Sequence, residues 1–318
     1  MEAFKLLIVS NSFGSCGGDV FEKLSDAGIE YTKVHSEKIF GERELAKLIP
    51  GYDGIVVGAD VVSRAVIEAG TRLKIIAKHG VGLDNVDLEA AKEHGVAVTI
   101  GRNSNSVAVA ELAIAMMMNL ARNLNEHSRN IRNGEWLRFK GIELSAAVLG
   151  VAGTGSIGKE VICRMEHFCR DILVYDAFPD REFEKQHRIT YVSLDELLEK
   201  SDIVTLHVPL AEETRKMICR ETLGKMKRGA ILINTARGEL ADEEAVADAL
   251  ESGRLGGFGI DAFAKEPPWG SRLLKQKHIV MSPHVGAYTG EAINKMSQYA
   301  AESIICFAEG KPVWNRVI

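Results

Sequence analysis

The stretch AAVLGVAGTGSIGKEVICRMEHFCRDILVYD, from Ala146 to Asp176, decides the fold of this chain. It opens with an apolar run that is typical of a buried strand, and a glycine-rich turn follows. The next residues, from about 157 to 169, have the pattern of a helix. A second apolar run, ILVY, then ends at an acid. This order predicts a βαβ unit with two parallel strands.

The glycines of this turn, Gly153, Gly155 and Gly158, have G-x-G-x-x-G spacing, which alone is a weak signal. In a dinucleotide site the first makes the tight turn, the second lets the backbone approach a pyrophosphate, and the third lets the helix pack on the strand. Asp176 is placed to accept hydrogen bonds from ribose hydroxyls and to repel a 2′-phosphate, although Arg181 is nearby. We predict NAD rather than NADP; the alternative is a purely structural turn.

Composition excludes several classes of protein. The 318 residues are 46% hydrophobic and 26% charged, which is typical of a globular protein. The net charge of −5 does not favour binding to nucleic acid or to an anionic membrane. No basic start or apolar signal segment opens the chain, so a cytoplasmic protein is expected. The five cysteines form no CxxC pair, which predicts buried structural thiols and no metal site.

Apolar strands alternate with helices along the whole chain, which predicts two doubly wound α/β domains with parallel sheets and a cleft between them. We expect residues 1–101 and 288–318 to form a substrate domain and residues 102–287 to form the dinucleotide domain. The last helix, from about 290 to 309, should return to the first domain. A single long helix from 105 to about 133 is predicted to lie between them.

Ligands of parallel sheets bind beyond the carboxyl ends of the strands, so the residues that follow each strand are candidates for chemistry. Arg237 follows ILIN, Asp261 and then Glu266 follow GFGI, and His284 follows IVMS. A guanidinium can grip a carboxylate and polarise a neighbouring carbonyl. An imidazole paired with a carboxylate can exchange a proton with the oxygen. The set suits hydride transfer on a 2-keto acid, although each residue alone could be structural.

The motifs together resemble the D-isomer-specific 2-hydroxyacid dehydrogenase family, most closely its phosphoglycerate-oxidising branch. KHGVGLDNVDLEAAKEHGVAV is similar to the family's substrate loop and NSNSVAVAELAIAMMMNLAR to its interdomain helix. GVAGTGSIG, HVPL, INTARGELADEEAV, GIDAFAKEPP and MSPHVGAYTGEA follow in the family's order. The resemblance implies a Rossmann-like cofactor domain, a flavodoxin-like substrate domain, and usually a homodimer.

By this resemblance Arg237 binds substrate, Glu266 is the partner of the histidine, and His284 is the acid/base. Asp261 would lie near the nicotinamide carboxamide and Asp176 would hold the ribose. The remaining implied cofactor residues are Ser156 and Ile157, through their backbone at the pyrophosphate, and Pro209 and Thr235. Backbone N–H groups of Val81 and Gly82 would hold the substrate carboxylate. Relatives that act on formate carry Gln in place of this Glu, which argues against that activity.

The chain departs from the family pattern where Arg102 replaces a Pro in the turn before the long helix. Arg102 either binds a second anionic group of the substrate or faces solvent, and Lys78 has the same two interpretations. The regulatory domains that some phosphoglycerate dehydrogenases carry do not follow the last helix. Serine feedback through such a domain is therefore not expected.

These observations favour an NAD-dependent oxidoreductase for a small D-2-hydroxy or 2-keto acid. The preferred substrate pair is 3-phosphoglycerate and phosphohydroxypyruvate, and the alternative is reduction of hydroxypyruvate or glyoxylate. A more remote hypothesis is a non-catalytic NAD-sensing binding protein. No nucleic acid, membrane or metal is expected as a partner.

Overall fold

In the computed structural model, which describes residues 3–36 and 39–318, the chain divides into two compact units. The first comprises Met1–Asn105 with Ala287–Ile318, and the second comprises Ser106–Gly286. Each unit is an α/β domain built on one parallel sheet, so the predicted fold class is confirmed.

The first unit has a five-stranded sheet in the order β2-β1-β3-β4-β5, which is the flavodoxin-like doubly wound order. Its strands are β1 Phe4–Ile8, β2 Ile29–Lys33, β3 Gly54–Val57, β4 Ile75–Lys78 and β5 Ala97–Thr99. Its helices are α1 Val20–Asp26, α2 Glu42–Leu48, α3 Arg64–Ala69, α4 Leu88–Glu93 and the C-terminal α12 Gly290–Ala308. Helix α12 belongs to this unit, where it packs on β4 and α1.

The second unit has a seven-stranded sheet in the order β12-β11-β10-β9-β6-β7-β8. Its strands are β6 Val148–Ala152, β7 Asp171–Tyr175, β8 Ile189–Tyr191, β9 Ile203–Leu206, β10 Ala230–Asn234, β11 Leu255–Ile260 and β12 Ile279–Met281. Its helices are α5 Ser106–Ala121, α6 Leu124–Arg132, α7 Ser156–Met165, α8 Arg181–Gln186, α9 Leu194–Lys200, α10 Arg220–Lys225 and α11 Glu243–Glu251. Six of the strands follow the order of a dinucleotide-binding sheet, and the chain reverses direction across the sheet between β6 and β9.

The central strands β6, β9 and β10 are buried along their whole length, because helices cover both faces of the sheet. One apolar cluster lies on each face, with Phe258 and Leu232 in one and Met117 and Val151 in the other. The sheet is therefore a rigid support for the loops at its carboxyl edge.

The prediction of one long helix after residue 105 is wrong. Two helices, α5 and α6, meet at a bend of 62°. The break falls at Asn123, whose φ of +52° is left-handed and whose side chain donates to the carbonyl of Lys140 at 3.1 Å. Asn119 also turns back to accept the N–H of Asn125 at 3.0 Å. Asparagine side chains compete with the helical hydrogen bonds here, which ends the first helix.

Two further properties concern cysteines and membranes. Only Cys169 is buried, whereas Cys16 and Cys163 are exposed, so the prediction that all five thiols are buried is wrong. Residue 169 follows the end of α7, and Cys219 and Cys306 are partly buried. Among the described residues no single helix has the length and hydropathy of a membrane span; only the bent pair α5 and α6 reaches that threshold, by length and composition.

Candidate active site

The predicted catalytic side chains follow three neighbouring strands of the seven-stranded sheet. Asn234, which ends β10, pairs with Ile260 of β11, and Ile260 pairs with Met281 of β12. Because all three strands are parallel, the segments that follow them leave the sheet at one edge. The register therefore gathers at this edge the arginine, the glutamate and the histidine that the sequence singled out.

His284 and Glu266 form a hydrogen-bonded pair. The imidazole Nδ1 lies 2.9 and 3.0 Å from the two carboxylate oxygens, and one of these oxygens also accepts the N–H of Phe263 at 3.0 Å. The hydrogen bond with Glu266 raises the pKa of His284 above its ordinary value, although burial opposes it. Half of the histidine side chain is exposed, so the ring can reach a ligand.

Burial alone would raise the pKa of Glu266, but its bonds with His284 hold that pKa below the ordinary value. The carboxylate is therefore ionised at neutral pH and favours the charged imidazolium. A charged, oriented histidine is the form that can donate a proton.

Arg237 contributes a positive charge beside this pair, and this charge lowers the pKa of both Glu266 and His284. The next residue, Gly238, brings the arginine loop against the segment that precedes the glutamate. A Cβ atom on Gly238 would lie only 2.0 Å from the backbone nitrogen of Ala264. A glycine is required at this position, because any side chain would push the two loops apart.

A buried carboxylate, Asp261, holds the loop that carries His284. Its Oδ1 accepts the Ser282 hydroxyl at 2.5 Å and the N–H of Val285 at 2.8 Å, and its Oδ2 accepts the N–H of Gly286 at 2.8 Å. These bonds fix the residues on both sides of His284, whose backbone φ of +54° is uncommon for a residue other than glycine. Contact of Asp261 with the nicotinamide carboxamide stays a prediction; its observed contacts are those of a loop anchor.

Asn234, which was not among the residues predicted from the sequence, holds the arginine loop in the same way. Its side-chain amide donates to the carbonyl of Arg237 at 2.7 Å, and its Oδ1 accepts the N–H of Ala236 at 3.1 Å. The side chain is fully buried. The available signal was an amide as the last residue of an otherwise apolar strand, since a buried amide needs local partners.

The three glycines of the turn after β6 have distinct environments. Gly153 has a φ of +99°, and a Cβ atom on Gly158 would lie 2.0 Å from the Gly153 carbonyl oxygen. A Cβ atom on Gly155 would meet nothing within 4 Å, which leaves open space above the turn. Helix α7 begins at Ser156, and its N-cap Gly155 supplies no side-chain acceptor to the first turn. The turn therefore fits a pyrophosphate, with Ser156 and Ile157 at the helix N-terminus as predicted contacts.

Other predicted cofactor residues lie at the same edge. Asp176 directly follows β7, and its carboxylate accepts hydrogen bonds from Thr154 and Phe178. The hydroxyl of Thr235 is buried and has no hydrogen-bond partner among the described residues, so a ligand could satisfy it. Pro209 is exposed beyond β9. These environments fit NAD, and the individual contacts stay predictions.

A second histidine at this edge, His207, is not suited to proton transfer. It follows β9, its Nε2 lies 2.9 Å from the hydroxyl of Thr205, and its Nδ1 is buried without a partner among the described residues. Burial lowers the pKa of His207 to about 3, so the ring is neutral at physiological pH. His284 is the better candidate for the acid/base.

In the five-stranded unit, Lys78 is a buried side chain rather than a surface charge. Its Nζ donates to the carbonyl of Gly58 and to Oδ1 of Asn85, both at 2.5 Å. Because Asn85 lies in the same loop as Val81 and Gly82, the lysine secures this loop to the end of β4. This structural role weakens the interpretation of Lys78 as a substrate ligand.

Arg102 has the opposite character, since its side chain is exposed. The preceding residue, Gly101, donates its N–H to the carbonyl of Gly80 at 2.7 Å. The turn that carries the arginine therefore lies against the loop of Val81 and Gly82, the predicted donors to the substrate carboxylate. Within this unit, Arg102 is the better placed of the two cations to meet a second anionic group.

The family comparison agrees with this geometry. Residues 114–286 match the family model for the NAD-binding domain of D-isomer-specific 2-hydroxyacid dehydrogenases. The chain belongs to this family of dehydrogenases. The family resemblance and the NAD cofactor predicted from the sequence are thereby confirmed.

Individual relatives carry different names. A hydroxypyruvate reductase of Thermotoga maritima is 41% identical, over 87% of this chain and 90% of the relative. A D-3-phosphoglycerate dehydrogenase of Archaeoglobus fulgidus is 37% identical, over 94% of this chain and 58% of the relative. The chain spans little more than half the length of the phosphoglycerate dehydrogenases that it matches. The structure of a glyoxylate reductase from Paecilomyes thermophila has a TM-score of 0.88 and 28% identity, covering 100% of this chain and 99% of that one.

Proposed function

We propose that the chain catalyses NAD-dependent hydride transfer between a small D-2-hydroxy acid and the corresponding 2-keto acid. The observation that carries this proposal is the pair of His284 and Glu266, with the charge of Arg237 beside it, at the carboxyl edge of the sheet. The same edge holds the glycine turn and Asp176. The seven-stranded unit is therefore assigned to the cofactor and the five-stranded unit to the substrate.

NADH, held at the glycine turn and Asp176, would supply the hydride for reduction of the carbonyl carbon. The guanidinium of Arg237 holds the carboxylate of the keto acid and polarises its carbonyl. His284 donates a proton to the carbonyl oxygen, and the carboxylate of Glu266 stabilises the imidazolium before transfer. In the oxidising direction the neutral imidazole accepts the proton from the hydroxyl.

For the substrate, we favour 3-phosphoglycerate and phosphohydroxypyruvate, with Arg102 as the ligand of the phosphate. This choice of substrate is supported by the exposed guanidinium of Arg102 next to the loop of Val81 and Gly82. Reduction of hydroxypyruvate or glyoxylate is the second candidate, since relatives with those names are equally similar. Neither of these two acids carries a second anionic group for the arginine.

A substrate panel tests this proposal directly. NADH oxidation is measured with phosphohydroxypyruvate, hydroxypyruvate, glyoxylate, pyruvate and a branched 2-keto acid. The highest kcat/KM is expected for phosphohydroxypyruvate. A higher value for an uncharged acid would keep the class of reaction and reject the phosphorylated substrate.

The role of Arg102 is tested by Arg102→Ala. Because an arginine contact with a phosphate is charge-assisted, its loss should raise the KM for phosphohydroxypyruvate about tenfold and leave the KM for glyoxylate unchanged. Lys311→Ala, an exposed lysine of the same unit, is the matched control. An equal effect on both substrates would reject a phosphate-specific contact.

We also propose that the active form is a homodimer in the cytoplasm. The segment from residue 124 to residue 142 exposes apolar side chains that water would not favour: Leu124, Ile131, Trp136, Leu137, Phe139 and Ile142. Trp136 is 77% exposed. A second copy of the chain is the proposed partner for this patch. Light scattering should give the mass of a dimer, and Trp136→Glu with Leu137→Glu should give a monomer.

A non-catalytic NAD-sensing protein is the remote alternative. It would bind NADH and turn over none of the acids in the panel. The hydrogen-bonded pair of His284 and Glu266 is the observation that favours catalysis, because binding alone does not need an oriented proton donor.

A further inference from the structure

We infer that Thr154 and Tyr191 orient the Asp176 carboxylate and so act as positioning residues that set the preference for NAD over NADP. The inference rests on the proposed function, since it assigns Asp176 to the ribose. It concerns two hydroxyl groups to which neither the glycine spacing nor the family match assigns a role.

The first observation is a directed chain of hydrogen bonds. The N–H of Asp180 donates to the Tyr191 hydroxyl at 3.1 Å, and that hydroxyl donates to Oγ1 of Thr154 at 3.0 Å. The threonine hydroxyl donates in turn to Oδ2 of Asp176 at 2.8 Å. Each hydroxyl has a single proton, so the direction of the chain is fixed and ends at the carboxylate.

The second observation is how completely the carboxylate is held. Oδ2 also accepts the backbone N–H of Thr154 at 2.6 Å, and Oδ1 accepts the N–H of Phe178 at 2.8 Å. Burial would raise the pKa of Asp176, but these bonds hold it below the ordinary value. The group is therefore a fixed anion, which accepts hydrogen bonds from a diol and repels a phosphate.

The third observation concerns two cations, Lys159 beside this anion and Arg181 beside Tyr191, which could otherwise attract a 2′-phosphate. The guanidinium of Arg181 lies 5.3 Å from the centre of the Tyr191 ring and pairs with Glu184 at 2.6 Å. The ammonium of Lys159 pairs with Asp180 at 2.5 Å. Tyr191 thus uses its hydroxyl to orient the carboxylate and its ring face to hold Arg181.

Together these contacts explain why the arginine five residues after Asp176 does not create an NADP site. The carboxylate is held as an anion, and both Lys159 and Arg181 are paired with acids. Removal of the whole tyrosine side chain should affect both the orientation of the Asp176 carboxylate and the position of Arg181. Removal of only its hydroxyl should affect the orientation of the carboxylate alone.

The test is direct titration of NADH and NADPH by cofactor fluorescence, without substrate. Thr154→Val should weaken NADH binding about tenfold, because a hydrogen bond to a charged group is lost, and Tyr191→Phe should weaken it about threefold. Tyr191→Ala also removes the ring that holds Arg181, which then keeps only its pairing with Glu184, so this variant should bind NADPH more tightly than Tyr191→Phe does. Thr154→Ser keeps the hydroxyl and should restore NADH affinity.

The pH dependence of NADH binding distinguishes a lost orientation of the Asp176 carboxylate from a general disturbance of the fold. In Thr154→Val and Tyr191→Phe the pKa of Asp176 should rise towards the ordinary value, so NADH affinity should fall at a higher pH on acidification than in the wild type. Thr190→Val on the same strand and Tyr31→Phe in the other unit are matched controls. Wild-type affinity and pH profile in Thr154→Val and Tyr191→Phe would overturn the inference. Failure of the wild type to bind NADH would instead reject the proposed function.

Discussion

The two sheets use the polar residues at their strand ends differently. In the seven-stranded sheet, Asn234 and Asp261 are buried and turn their side chains back to hold the loops of Arg237 and His284. In the five-stranded sheet, Lys78 ends β4 and holds a carbonyl and an amide oxygen of two loops. An amide and a carboxylate can bind backbone N–H groups, whereas an ammonium can bind only acceptors.

This difference separates anchors from chemical groups. The anchors lie at the strand end or next to it and are buried, while His284 follows its strand by three residues and is half exposed. A strand end is rigid because the hydrogen bonds of the sheet fix it. A loop residue three positions further along is not fixed by the sheet. The anchors therefore transmit the rigidity of the sheet to the reactive side chains.

The largest expected effect is that of His284→Ala, which removes a chemical group and keeps the anchors. Turnover should fall about 10²–10⁴-fold, the usual contribution of general acid–base catalysis. NADH affinity and thermal stability should stay near their wild-type values, since half of the side chain is exposed. Steady-state kinetics, NADH titration and calorimetry check the three expectations. Near-normal turnover would reject the mechanism.

Asp261→Asn tests an anchor and should affect both activity and stability. The amide keeps one acceptor but presents N–H groups to donors that the carboxylate now binds, which should cost about 2 kcal/mol of unfolding free energy. Because the loop of His284 loosens, turnover should fall about tenfold to a hundredfold. Ser282→Ala removes only one of the three bonds and should have a smaller effect on both. A stable variant with full activity would contradict the assignment as anchor.

Glu266→Gln alters the chemical pair without removing the histidine. The hydrogen bond that raises the pKa of His284 loses its charge, and burial and Arg237 then act to lower that pKa. Reduction needs the protonated ring, so its rate is full below this pKa and declines above it. In a plot of reduction rate against pH, the decline should therefore move to lower pH, and the rate at neutral pH should fall about tenfold. A pH–rate profile checks this; an unmoved decline would show that the glutamate does not control the ring.

Lys78→Met should have the smallest effect on chemistry. The buried side chain loses hydrogen bonds to Gly58 and Asn85, which should cost about 1–3 kcal/mol of unfolding free energy. Turnover should change only a few-fold at saturating substrate. Urea unfolding and kinetics measure the two effects, with Lys311→Met as an exposed control. A selective loss of affinity for phosphorylated substrate would return Lys78 to the role of ligand.

Much of the fold could be predicted from the sequence because its signals are local. Apolar runs such as ILIN and IVMS marked strands, and the glycine spacing marked the turn before α7. The break at Asn123 could not be predicted, because it depends on a hydrogen bond to Lys140, seventeen residues away. The two exposed thiols were missed because a residue type alone does not fix burial: Cys163 lies on α7 and Cys16 in the segment between β1 and α1.

The sequence by itself determined the family, the cofactor and the three candidate catalytic residues. Each depends on particular residue types that follow shortly after predicted strands, and such patterns are local in the sequence. Only the tertiary structure decided which polar residues hold the site residues. Asp261, Thr154 and Tyr191 acquire their roles from partners that are distant in the sequence, whereas the partners of Asn234 lie in the loop that directly follows it. Hydrogen bonds select partners by distance and angle, and the packing of the sheet sets both.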